Sequence, residues 1–115
     1  MDRTEAFAIL KEAAKKDEAA PMVLDMAVDS FVHVEPASLR DPQFAVECAE
    51  REATLSHRKD PFILLSLAQA HHAASQAEKA RAAAKEGLSM LPAPEPGAPK
   101  SRLRKLLEIE ANAGN

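Results

Sequence analysis

Two dipeptides, Asp41-Pro42 and Asp60-Pro61, constrain the fold of this chain more than any other feature. A proline ring holds φ near its helical value and brings no N–H that could be left without a partner. It therefore suits the first position of a helix and breaks the middle of one. An aspartate just before it can accept hydrogen bonds from the free N–H groups of the first turn. Ala20-Pro21 has the same form without the capping side chain. Helices are thus expected to begin at residues 21, 42 and 61, and none can run through those points. The remaining prolines, at 36, 92, 94, 96 and 99, fall where loops or helix starts are expected.

Between the prolines the apolar residues recur at helical spacing. Residues 3 to 16 place Ala6, Phe7, Leu10 and Ala13 or Ala14 on one face. Residues 21 to 34 do so with Val23, Leu24, Ala27, Val28 and Phe31, and residues 42 to 57 with Phe44, Ala45, Cys48, Ala49 and Leu55. A fourth helix is expected over 61 to 74 (Leu64, Leu67, Ala68, His71), a fifth over 76 to 91 and a sixth over 99 to 112. Ser75 and Glu78 have the spacing of a capping box for the fifth. Lys15 and Lys16, and then His57, Arg58 and Lys59, suit the negative ends of helix dipoles. Aromatics are only 3% of the chain, with no Trp or Tyr, which disfavours sheets. The fold class expected is all-α.

An internal repeat is visible. Residues 21–31 align with residues 61–71, forty positions on, while Ala45-x-x-x-Ala49 aligns with Ala80-x-x-x-Ala84 at thirty-five. The first helix pair therefore has the longer turn, around Glu35 to Arg40, and Glu52 stands where the second pair has the small residue Gly87. A period of this length is the mark of a helical array.

The second pair resembles a tetratricopeptide repeat. That family has Trp-x2-Leu-Gly-x2-Tyr on its first helix, Ala-x3-Phe on its second and a closing proline. Leu64, Leu67, Ala68, His71, Ala80, Ala84 and Pro92 occupy those places here without a gap. The resemblance implies antiparallel helix pairs stacked as a short superhelix: a capping helix at 1–18, a degenerate pair at 21–57, a second pair at 60–92, a proline-rich loop at 93–98 and a capping helix at 99–115. Large side chains on Leu64 and Leu67 would fill the space left by Ala80, Ala84 and Gly87. In this family the first helix of each pair lines a concave groove that holds a peptide or helix. By that resemblance Phe62, Leu65, Gln69 and His72 line it from the second pair, and Met22, Asp25, Asp29 and His33 from the first. None of these is Lys, Arg or Asn, so a clamp for a C-terminal carboxylate is not expected.

Other chemistry finds little support. His71 and His72 point about 100° apart on a helix, too far to share a metal, so one is expected in the core and the other in the groove. Cys48 lies on an apolar face and reads as an inert thiol in a reducing compartment. Glu47, Glu50 and Glu52 read as a solvated, ion-paired face. Lys100-Ser-Arg-Leu-Arg-Lys105 reads as the charged outside of a capping helix, because Glu108 and Glu110 follow. No phosphate-binding glycine loop, nucleophile elbow or metalloprotease pattern occurs. The net charge of −3 speaks against nucleic acid, and no apolar run is long enough to span a bilayer.

The expectation is a cytoplasmic, non-catalytic protein–protein interaction module with no cofactor or metal. Its partner would be a protein or peptide, with a homodimer through an exposed apolar helix face as a further option. The alternatives are a structural or regulatory segment of a larger polypeptide and, from another class, a ligand-binding or catalytic helical bundle.

Overall fold

The computed structural model describes residues 2–113, and within them the protein is all helical. Six α-helices follow one another: α1 (Arg3–Lys15), α2 (Pro21–His33), α3 (Pro42–Leu55), α4 (Pro61–Ala73), α5 (Ala77–Ser89) and α6 (Arg102–Asn112). A short 3-10 turn, Ala37–Leu39, lies between α2 and α3. Pro21, Pro42 and Pro61 each open a helix. The side chains of Asp41 and Asp60 accept from the backbone N–H of Phe44 and Phe62, at 3.1 and 2.9 Å.

Short loops dictate the packing. Residues 74–76 can span only about 10 Å, whereas the 13-residue helices on either side are about 20 Å long. So α5 must fold back along α4, and those two helices share the largest interface. α2 with α3, α3 with α4, and α5 with α6 pack in the same sequential way. α4 also touches both α2 and α6. The result is a stack of 51 × 28 × 24 Å. Its radius of gyration, 14.9 Å, exceeds the roughly 13 Å of an ordinary domain this size, as an elongated stack requires.

The core interlocks leucine with alanine. Leu24, Leu64, Leu67 and Leu107 are enclosed, and Ala45, Ala49 and Ala53 bury one face of α3 completely. Such small side chains let helix axes approach closely. At Gly87 on α5 the approach is close: a Cβ there would stand 3.0 Å from Leu107 Cδ2 on α6 and 3.4 Å from Leu64 Cβ on α4.

α1 is held by different means. Phe7, Phe31 and Phe44 form a chain of rings with centroids 5.6 and 5.5 Å apart. Lys11 of α1 lies 5.0 Å above the Phe44 ring and pairs with Asp41. Burial alone would raise the Asp41 pKa, but the Lys11 ammonium and the Phe44 N–H outweigh it and hold it below the usual value. Arg51 of α3 donates to the carbonyls of Ala14, Lys16 and Asp17, satisfying the end of α1. Arg3 reaches the Glu35 carbonyl, so the longer turn between α2 and α3 is where α1 docks.

Three local expectations need correction. His57 and Arg58 are not helical: both sit at φ 55° beyond the end of α3. Hydrogen bonds from their N–H groups to Thr54 and Ala53 close α3 with a left-handed cap. Ser75 does the same after α4, at φ 62°, so the capping box with Glu78 does not form. Gln76 stands at the N-cap of α5 and makes no side-chain capping bond. Glu52 is not on a solvated face either. It is 4% exposed, and its Oε1 has no hydrogen-bond partner among the described residues.

Candidate functional site

Because α3 runs antiparallel to both its neighbours, α2 and α4 lie parallel, with a groove between them. One section, of about 250 Å3, is bounded by Asp25, Met26 and Asp29 of α2 and by Ser66 and Gln69 of α4. A second, of about 270 Å3, continues from Val32, His33 and Gln69, which border both, to His72 and to Glu110 of α6. His72 Nδ1 is 3.0 Å from Glu110 Oε2, which ties this end of the groove to the last helix.

Five of the sequence-predicted residues, Asp25, Asp29, His33, Gln69 and His72, do border the groove. Met22 and Phe62, one turn before Met26 and Ser66, are 74% and 65% exposed and line neither section. Leu65 departs from expectation. It is only 8% exposed and belongs to the hydrophobic core. The stripe containing Phe62 turns inward at Leu65, which joins the core around which α4 packs against α2, α3, α5 and α6. Met26, Val32 and Ser66 were missed. Met26 was legible, since it follows Met22 by one turn and is 52% exposed.

The groove's charge is one-sided. Asp25 and Asp29 stand one turn apart on α2, and neither forms an ion pair among the described residues. Among the described residues no Lys or Arg borders either section.

A wider groove of about 610 Å3 opens on the opposite side, between α3 and α5. Here Arg58 forks onto Glu86, its Nε and Nη2 donating at 3.0 and 2.8 Å. Their hydrogen bond raises the Arg58 pKa and lowers that of Glu86. His71, 5% exposed, has Nδ1 2.7 Å from Gln76 Oε1, within hydrogen-bond distance. Its Nε2 lies 3.5 Å from Glu50. Arg58, Glu86 and Glu50 partner one another here, as do His71 and Gln76, and among the described residues no Ser, Thr or Cys borders the groove. Cys48 is buried, and burial pushes its thiol up to about 11, so it is not a reactive thiolate. His71 and His72 separate as their spacing requires, one enclosed and the other exposed. Among the described residues no three His, Cys, Asp or Glu side chains are grouped to hold a metal ion. No helix among the described residues is long and apolar enough to cross a membrane.

Compared with known proteins, the chain matches no family model, no curated protein and no solved structure.

Proposed function

We propose that this protein is a tetratricopeptide-like interaction module that holds a segment of another protein in the groove between α2 and α4, without catalysing a reaction. The observation that carries this reading is the position of Phe62. The other three phenylalanines form one chain of rings packed against the core, while Phe62 is 65% exposed one turn before the groove residue Ser66, and Met22 and Met26 are exposed on the facing helix. Large apolar side chains grouped in this way and rimmed by polar ones suit a protein contact. Methionine adapts its shape to different partners. The family likeness is supported by the order of contacts: α4 meets both α2 and α6, as the first helices of successive pairs would.

The test is a peptide library selected against the intact protein, with the winners titrated by fluorescence anisotropy. Phe62→Asp and Met26→Asp should each weaken binding at least tenfold, about 1.4 kcal/mol, without lowering the melting temperature. Equal affinity for the parent and both variants would remove the groove from the account.

A further inference from the structure

We infer that the occupant of this groove is a basic segment of a partner protein, carrying two cationic side chains about 6 Å apart next to a large apolar one. This rests on the groove reading above and adds the chemistry that would be recognised.

The argument begins with Asp25 and Asp29. They are successive turns of one helix face, so their like charges repel across a rise of about 6 Å. Several other acids are paired, Asp41 with Lys11, Glu86 with Arg58, Glu35 with Arg40 and Glu108 with Lys100, while Asp25 and Asp29 are exposed and have no ion-pair partner among the described residues. With 15 Lys and Arg against 18 Asp and Glu, cations are plentiful, yet among the described residues none borders this groove. Two exposed carboxylates left without cations, in a concave surface that focuses their field, attract a positive ligand.

The neighbours define the rest of the ligand. Met22 and Met26 alternate with Asp25 and Asp29 along the same face of α2, and Phe62 stands one turn before Ser66 on the facing helix. An apolar side chain can cover Met26 while Lys or Arg reaches the aspartates. Cations four residues apart on a helix, or two apart on an extended strand, have the required spacing. At the far end the carboxylate is Glu110, which His72 Nδ1 meets at 3.0 Å, so the carboxylates without a partner lie at the Asp25 end.

The test uses three synthetic peptides with the same leucine positions and with Lys and Arg, Gln, or Glu at the polar positions. Each is titrated into the intact protein at low and high salt. The basic peptide should bind at least tenfold more tightly than the acidic one, and salt should weaken it. Asp25→Asn with Asp29→Asn should remove that preference while helicity and melting temperature are kept. Asp25→Lys with Asp29→Lys should reverse it. If all three peptides bind equally and all lose affinity with Phe62→Asp, the groove stands and the charge inference is overturned. If the bound peptides ignore Phe62→Asp, both readings fall. Self-association of the protein that Asp25→Lys abolishes, with no peptide bound, would overturn the inference in favour of a second copy.

Discussion

Glu52 sets the pH dependence expected of this molecule. Burial first, and then the nearby negative charges of Asp25 and Asp60, raise its pKa from 4.5 to about 7. The folded state therefore holds a proton that the unfolded state releases at lower pH. Stability from this group is full below about pH 4.5 and is lost as pH rises through about 7. Glu52→Gln should flatten that slope and be the more stable protein at alkaline pH, by up to about 3 kcal/mol. Denaturant titrations of both proteins across the range would decide it, and a parent stability constant between those pH values would contradict the account. Ser75 offers a second test at this scale. A non-glycine residue in the left-handed region costs about 1 kcal/mol, and Ser75 sits there at φ 62°. Ser75→Gly should raise stability by about 0.5–1 kcal/mol. A lower melting temperature for that variant would show that its cap is not left-handed.

Helix ends and helix contacts differ in how firmly they hold each element. α6 is locked by Leu107, which is wholly buried and packs at the absence of a side chain on Gly87. Gly87→Val should cost about 1–3 kcal/mol through overpacking, although valine is the better helix former, and chemical denaturation measures it. α1 has a looser hold, since Ala14 is its one fully buried residue and Phe7 and Leu10 are half-buried. Its anchors are the Lys11 and Arg51 contacts, both reachable by solvent. Native-state hydrogen exchange should therefore find the amides of α1 opening at lower free energy than those of α4. Equal protection would show that the ring chain alone welds α1 to the stack.

At the scale of the whole molecule, what separates groove from core is which side of α4 each neighbour covers. Leu65→Asp should unfold the protein, as Leu67→Asp should, because each would bury a charge without a partner. Phe62→Asp should remain folded. Circular dichroism of the three variants reads this directly, and a folded Leu65→Asp protein would return Leu65 to the groove. Six helices and their order were legible in the sequence, because proline geometry, aspartate caps and apolar spacing act within a few residues of where they are written. The all-α class followed from the same local rules. The burial of Glu52 and Leu65 was not legible, since both depend on how α2, α3 and α4 close around them. Nor was the left-handed turn at Ser75, where ending α4 took precedence over capping α5. The presence of Asp25, Asp29, Phe62 and Met22 on helices was determined by the chain alone. That Asp25 and Asp29 border a groove with no Lys or Arg in its lining among the described residues was decided only by the packing of α2 beside α4, because the direction a side chain faces belongs to its helix, while what it faces belongs to the neighbours.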